Sequence, residues 1–207
     1  MFMLIKSVPV HILRSKSYPL VSSPNSNPLF LLPNLNTMTS IEADFFEACR
    51  RGNKEDVEKL YEANPDILNT EDVKGFTPLI IAVYNNQQEI TDFLLQKGAK
   101  AEMQDASGNT ALMGVCFRGY KELAEKLLNA GADVNQRNYQ GATALTFTAT
   151  FGHLEIAEML LEKGADINAR DVRGKSSLDH AVIQENYEMV ELIEKYMQPT
   201  SGEEDSN

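Results

Sequence analysis

A 33-residue period runs through most of the chain and constrains its fold more than any other feature of the sequence. Glycines recur at this spacing at Gly75, Gly108, Gly141 and Gly174. Leucines recur with the same spacing at Leu79, Leu112, Leu145 and Leu178. A Gly-Ala dipeptide shares the period and begins at Gly98, Gly131 and Gly164. Because a fixed period of this length is typical of tandem structural units, the sequence predicts a stack of repeats rather than one central core.

Each unit has the pattern of a turn followed by two helices, as in residues 72–104. The Asp-x-x-Gly motif at the start predicts a turn, because Asp bonds nearby backbone N–H groups and Gly accepts a positive φ. Thr77 and Pro78 then predict the N-cap and first turn of one helix, and Gly98 predicts the end of a second. Neither helix can bury its apolar face alone, so each unit needs a neighbour on which to stack.

This pattern resembles the ankyrin repeat, which has a 33-residue period, a Thr-Pro-Leu-type opening and a Gly-Ala-Asp ending. The resemblance extends from Ile41 to about Met197 and implies an all-α solenoid of about five helix-turn-helix units with short turn or hairpin connections. We place the units at about 41–71, 72–104, 105–137, 138–170 and 171–197. Charged residues in the first unit, and Glu194 in place of a leucine in the last, predict polar outer faces that cap the stack.

The chain departs from the ankyrin pattern at the histidine that usually follows the leucine of the first helix. Its places are taken by Ile80, Met113, Thr146 and Asp179. Because that histidine often bonds to the next unit in the family, the resemblance does not predict this inter-unit bond here. At a finer level, residues 114–120 and 147–152 resemble stretches of small bacterial ankyrin proteins linked to catalase. That second resemblance implies an alternative function, an accessory role in oxidative-stress defence.

The two ends of the chain differ in composition from the repeats. Residues 1–38 contain three basic residues, no acidic residue and five prolines, which break any long helix. This basic, Pro/Ser-rich leader is interpreted as a disordered segment, an organellar transit peptide, or an over-called start with translation beginning at Met38. We predict a repeat domain at 39–198 and a disordered acidic tail at 199–207. The expected location is cytoplasmic, with organelle targeting by the leader as the alternative.

Charge and hydropathy limit the classes of partner. The formal net charge is −11, and phosphate binding needs a basic face, so the sequence argues against a nucleic-acid partner. The chain has no run of 18 apolar residues, so we predict no membrane span. Cys49 and Cys116 are 67 positions apart, without a Cys-x-x-Cys motif or a neighbouring His. We therefore interpret both as small apolar core residues in a reducing compartment, rather than as disulfide partners or metal ligands.

The histidines of the repeats do not belong to a recognisable catalytic motif. His153 occupies the Gly-His position between two helices, so we predict a turn residue that caps the second helix. His180 follows Asp179, but adjacent residues on a helix do not face each other, so we interpret the two as polarity of the terminal unit. The chain also lacks a phosphate loop, an HExxH motif and clustered Cys/His ligands. We predict no catalytic residue, metal or cofactor, and keep an enzyme as a remote alternative.

The ankyrin resemblance implies that a partner protein binds the concave face, through the turn tips and the exposed side of the first helix of each unit. Carried over by position, the candidate partner-binding residues are Phe76, Tyr84, Asn85, Asn109, Phe117, Arg118, Tyr139, Gln140, Thr150, Phe151, Arg173 and Lys175. The same surface includes Val73, Lys74, Ala106, Ser107, Ala142, Val172, Ile183 and Gln184. Aromatic residues and Arg dominate binding energy at interfaces. We therefore predict a non-catalytic, monomeric scaffold that binds another protein through this face.

Overall fold

The computed structural model describes residues 39–198, and this range is mainly helical. Within it lie ten α-helices, one 3-10 helix and an isolated bridge between Arg170 and Ser176, but no β-strand. The all-α class predicted from the repeat pattern is confirmed for this part of the chain. The predictions for 1–38 and 199–207 lie outside the described residues.

The ten helices form five consecutive pairs, one for each predicted unit. The first helices of the pairs are α1 (Ser40–Arg51), α3 (Pro78–Tyr84), α5 (Ala111–Arg118), α7 (Ala144–Phe151) and α9 (Ser177–Ile183). The second helices are α2 (Lys54–Ala63), α4 (Gln88–Gln96), α6 (Lys121–Asn129), α8 (Leu154–Glu162) and α10 (Tyr187–Met197). The 3-10 helix, Pro65–Asn69, follows α2 in the first unit.

The helices are arranged in two rows. The first helices contact one another in chain order, from α1 against α3 to α7 against α9, and we call them the first row. The second helices form the second row, in which α4 contacts α2 and α6, and α8 contacts α6 and α10. Each first helix also packs against the second helix of its own unit. This arrangement confirms the predicted solenoid of helix-turn-helix units.

Short polar residues begin every helix of the first row. In each case the N-cap side chain accepts a hydrogen bond from a backbone N–H one turn later. The N-cap residues are Thr39, Thr77, Thr110, Thr143 and Ser176. Such a cap contributes about 1 kcal/mol to stability. The cap predicted at Thr77 is therefore confirmed, and the three later units carry Thr or Ser at the same repeat position although they lack the Thr-Pro pair.

The leucines of the 33-residue period belong to the hydrophobic core. Leu79, Leu112 and Leu145 are each at most 1% exposed. Burial of one such side chain stabilises the fold by roughly 1.5–3 kcal/mol, so their spacing reflects the thickness of one unit in the stack. Leu178, which holds the same position in the last unit, is only half-buried.

The last unit has an outer surface that is partly apolar. Glu194 is exposed, in agreement with the predicted polar face. Val182, however, is 58% exposed, whereas its equivalents Val83, Cys116 and Ala149 in the earlier units are fully buried. The prediction of a polar terminal face is therefore only partly right, because the position that a following unit would cover still carries an apolar residue.

Hydrogen bonds join successive units on the side of the turns. Backbone N–H groups donate to carbonyl oxygens of the preceding turn in three pairs, Ala106 to Lys74 (2.9 Å), Tyr139 to Ser107 (3.2 Å) and Val172 to Gln140 (2.9 Å). Side chains add further bonds, such as Gln87 Nε2 to the Arg50 carbonyl oxygen at 3.0 Å. Inter-unit polar bonding therefore does not depend on the family histidine that the chain lacks.

Candidate functional site

The predicted partner-binding residues lie on the turn tips and along α3, α5, α7 and α9. We call this surface the first-row face and define it by the twelve predicted residues together with Val73, Lys74, Val172 and Ile183. Of the twelve, the exposed ones are Asn85, Phe117, Arg118, Tyr139, Gln140, Phe151 and Arg173. The half-buried ones are Phe76, Tyr84, Asn109, Thr150 and Lys175.

Two exposed phenylalanines from neighbouring units form a pair on this face. The ring centroids of Phe117 and Phe151 are 4.7 Å apart, and the ring planes make an angle of 85°. Phe117 is 39% exposed and Phe151 is 47% exposed, so both rings present large apolar areas to solvent. The two residues do not hold equivalent positions, because Phe117 aligns with Thr150 and Phe151 aligns with Arg118. The pair therefore forms between different repeat positions of two neighbouring units, and the 33-residue period alone does not predict such a contact.

Phe76 and Tyr84 form a second aromatic pair, but one that is half-buried. Their ring centroids are 6.0 Å apart, and both side chains pack against the core. Burial raises the pKa of the Tyr84 phenol, and the negative charge of Asp105 raises it further. The positive charge of Arg118 lowers this pKa by a smaller amount. The sequence places Tyr84 and Phe117 at the same repeat position, but they differ in how much surface they offer to a partner.

Arg118, which follows Phe117 in the chain, is held in place by Tyr120. Its Nε and Nη2 atoms donate hydrogen bonds to the Tyr120 hydroxyl at 3.2 and 3.0 Å. The guanidinium carbon also lies 5.5 Å from the centroid of the Tyr120 ring. Arg118 therefore presents a positioned cation, and a guanidinium can bind a carboxylate through two parallel hydrogen bonds.

The turn tips carry the other exposed residues of the first-row face. Tyr139 is exposed, and its ring lies over Gly108, where an added Cβ would be 2.7 Å from Tyr139 Cδ1. Gln140 and Arg173 are exposed at the next two tips. The Phe117–Phe151 pair, at the far ends of α5 and α7, occupies a different part of this face from the turn tips.

Three polar residues among the candidates form hydrogen bonds within the fold. Asn85 Nδ2 donates to the Ile81 carbonyl oxygen at 2.8 Å. Asn109 Oδ1 accepts a bond of 2.9 Å from Asn138 Nδ2, which joins two units. Thr150 Oγ1 donates to the Thr146 carbonyl oxygen at 2.7 Å. These three side chains therefore lie on the first-row face and also form hydrogen bonds that stabilise the fold.

His153 is the N-cap residue of α8, as predicted, and its backbone carbonyl accepts the hydrogen bond from Ala157 N–H at 3.0 Å. Its side chain forms no capping bond. Instead, Nε2 lies 3.3 Å from the carbonyl oxygen of Phe117 in the preceding unit. The ring occupies the space beside Gly119, where an added Cβ would meet it. His153 thus bridges two units directly behind the phenylalanine pair.

His180 pairs with Asp171 and not with the adjacent Asp179. The distance between His180 Nε2 and Asp171 Oδ2 is 2.9 Å. Backbone N–H bonding from Lys175 lowers the pKa of Asp171 most, and the hydrogen bond to His180 lowers it further. Asp179 instead accepts hydrogen bonds from the backbone and side chain of Ser176, so it caps α9. Sequence adjacency therefore failed to identify the partner of His180.

The described cysteines are inert in this setting. Cys49 and Cys116 are both buried, and neither forms a disulfide. Burial raises the pKa of the Cys49 thiol to about 12. Burial also raises the pKa of the Cys116 thiol. Among residues 39–198, no three His, Cys, Asp or Glu side chains are grouped so that they could hold a metal ion. None of the helices in this range has the length and apolarity needed to cross a membrane.

Three exposed apolar residues lie outside the candidate set, and the sequence analysis did not predict their exposure. They are Val182 at the open end of α9, Tyr187 at the start of α10 and Met197 at its end. The exposure of Val182 follows from its place in the last described unit, which the 33-residue period already indicates. No sequence signal distinguishes Tyr187 from a buried aromatic residue.

Comparison with known proteins gives a family match. A family model described as ankyrin repeats, in three copies, matches residues 45–138 and 112–202. These matches extend over more than half of the 207 residues and include all five helix pairs. A search of curated proteins finds no match.

Proposed function

The chain belongs to the ankyrin repeat family, whose repeats are protein–protein interaction modules, and we propose that it binds a partner protein through the first-row face. Repeat solenoids commonly bind along the concave surface that their stacking creates. In this chain that surface corresponds to the turn tips and the exposed sides of α3, α5, α7 and α9. The proposal assigns no catalytic residue and no cofactor to it.

The exposed pair of Phe117 and Phe151 is the observation that carries this proposal. Folding alone would favour burial of both rings, yet each leaves more than a third of its surface in solvent. Their edge-to-face contact at 4.7 Å holds the two rings in a fixed relative position. Rigid aromatic side chains lose little conformational freedom when a partner binds, so they contribute strongly to affinity.

The surroundings of the pair support the same proposal. Arg118, held by the Tyr120 hydroxyl, adds a positioned charge next to the apolar area. The face continues along the turn tips through Tyr139 and Arg173, both of which are exposed. A specific interface buries roughly 800 Å² on each partner, and a surface that crosses four units is long enough to supply it.

A double substitution tests the proposal, Phe117→Ala with Phe151→Ala. Both rings are exposed, so the variant should keep its helical circular dichroism and lose partner capture from extracts of the native host. Tyr187→Ala is the matched control, because it removes an exposed aromatic residue from the second row. Undiminished capture by the double variant would remove the first-row face as the binding site.

The finer predictions from the sequence extend this proposal. We propose a monomeric domain at 39–198 and a cytoplasmic location, with organelle targeting by 1–38 as the alternative. The accessory role with catalase stays a prediction of the sequence resemblance alone. It is checked by the peroxide tolerance and catalase activity of a host that lacks the protein, and unchanged values of both would reject it.

A further inference from the structure

Charge is distributed unequally between the two rows of helices. Within their bounds, the five second-row helices contain fourteen acidic and five basic residues, a net charge of −9. The described residues 39–198 carry −11 in total, so most of the negative charge lies on the second row. The first-row helices α3, α5, α7 and α9 contain only one basic and one acidic residue, Arg118 and Asp179.

Four carboxylates near the first-row face accept hydrogen bonds inside the fold. Asp72 accepts backbone hydrogen bonds from Lys74 and Phe76 at 2.8 and 2.9 Å. Asp105 and Asp171 accept the same two bonds in their own turns. The Asp179 carboxylate accepts hydrogen bonds from the N-cap residue Ser176 and lies 3.3 Å from Arg170. Glu185 is exposed in the turn between α9 and α10, beyond the end of the face.

The cations of the first-row face, by contrast, form no ion pair within 4 Å of a carboxylate among the described residues. They are Lys74, Arg118, Arg173 and Lys175. On the second row, salt bridges join Lys121 to Glu155 at 3.2 Å and Lys126 to Asp92. The exposed charges of the first-row face are therefore the cations Lys74, Arg118 and Arg173, whereas the carboxylates of its turns, which keep their negative charge, are half-buried or buried.

The acidic second row lies behind the first-row face, about one helix diameter away, on the order of 10 Å. A segment seated on the first-row face is therefore closer to the exposed cations Lys74, Arg118 and Arg173 than to most second-row carboxylates.

We propose that the partner segment bound by the first-row face is acidic and carries an aromatic or leucine side chain that packs on Phe117 and Phe151. This inference rests on the proposed function. The apolar side chain fits beside the pair, where an open groove is lined by Gly119, Gly152, His153 and Leu154, with the Lys121–Glu155 ion pair in its wall. Carboxylates on either side of it meet Arg118 at one edge and the cations of the turn tips at the other.

Selection of peptides from an unbiased library tests this partner chemistry. A phage-displayed library of random peptides is panned on the full chain and counter-selected on the Phe117→Ala and Phe151→Ala double variant. We expect the retained peptides to have net negative charge and at least one aromatic or leucine residue. The affinity of the best peptide is then measured by fluorescence polarisation.

Charge reversal separates local recognition from general electrostatics. Arg118→Glu should weaken the best peptide about fivefold or more, because it replaces attraction by repulsion at the edge of the site. Lys163→Glu, which changes the net charge equally at an exposed position after α8, should leave the affinity within about twofold. Equal losses in the two variants would overturn the proposal.

The outcomes also distinguish this inference from the proposed function. Retained peptides that are neutral or basic, yet still require the phenylalanine pair, would overturn the acidic partner and leave the proposed function standing. If every selected peptide bound the double variant equally well, or if none were selected, the first-row face would fail as a peptide-binding site and both proposals with it.

Discussion

The ring of Tyr84 lies directly against the helix backbone at Gly114 in the next unit. A Cβ added at Gly114 would stand 2.7 Å from Tyr84 Cε2, closer than nonbonded carbon atoms approach. Gly114 is in the middle of α5, where glycine costs about 1 kcal/mol relative to alanine. The equivalent positions in other units are occupied by Ile81, Phe147 and His180. The close approach of Tyr84 therefore explains why a poor helix former stands here.

Gly114→Ala should destabilise the protein, although alanine favours the helix. Overpacking against a ring costs roughly 1–3 kcal/mol, which exceeds the helical gain of about 1 kcal/mol. Urea unfolding measures the change. As Tyr84 is displaced into solvent, its pKa should also fall towards the ordinary value. In a Tyr84→Ala background the same substitution should become stabilising, and a loss of stability there would contradict the steric explanation.

Val83→Ala and Val182→Ala should differ sharply in their effect on stability. The two residues hold equivalent positions, but Val83 is fully buried and Val182 is 58% exposed. We expect a loss of about 2 kcal/mol for Val83→Ala and less than about 0.5 kcal/mol for Val182→Ala. Urea unfolding of the two variants supplies the comparison. Equal losses would show that something covers the open end of α9 in solution.

Ser177→Ala should stabilise the protein by about 1 kcal/mol. The Ser177 side chain is fully buried, and its hydroxyl has no hydrogen-bond partner among residues 39–198. The equivalent positions are occupied by Pro78, Ala111 and Ala144, which carry no such group. Ser176→Ala is the control, since it should destabilise through loss of the α9 cap. A lower thermal midpoint for Ser177→Ala would indicate that the hydroxyl has a partner in solution.

Asp171→Asn should change how stability depends on pH below about 4. Hydrogen bonds from Lys175 N–H and His180 hold the pKa of Asp171 below its ordinary value of 3.8. A carboxyl group with a lowered folded-state pKa stabilises the fold above its unfolded pKa and loses that contribution as pH falls through the folded pKa. The wild type should therefore lose this contribution in acid, whereas the variant has none to lose.

An amide is a suitable replacement for this carboxylate, because Asn138 already forms the equivalent turn. Its Oδ1 accepts backbone hydrogen bonds from Gln140 and Ala142 at 3.0 and 2.9 Å. Thermal midpoints measured between pH 2.5 and 7 test the prediction. Identical acid profiles for the wild type and Asp171→Asn would show that Asp171 does not contribute to the pH dependence.

The period and the capping residues made the fold predictable. The spacing of Leu79 and Leu112 reports which side chains are buried between units, and Thr77 marks where a helix must begin because its hydroxyl satisfies a free N–H. The leucine spacing repeats at a fixed interval, and the cap involves only residues within one helical turn. Both features can therefore be recognised in the sequence without knowing how the units pack against one another.

The candidate site was predictable only as a set of positions. Phe117 and Tyr84 align in the repeat, yet one ring is exposed and the other is packed on Gly114. His153 was assigned to its own helix, although its side chain bonds to the unit before it. Each of these relationships joins two units, so it depends on residues at unlike positions of the period.

The sequence by itself determined the repeat length, the two helices of each unit and the residues that face the core, because burial and capping act on every unit in the same way. Only the tertiary structure decided that Phe117 meets Phe151 and that Tyr84 is half-buried. The physical reason is that contact between units depends on the shapes of both neighbours. That information is present in neither unit alone.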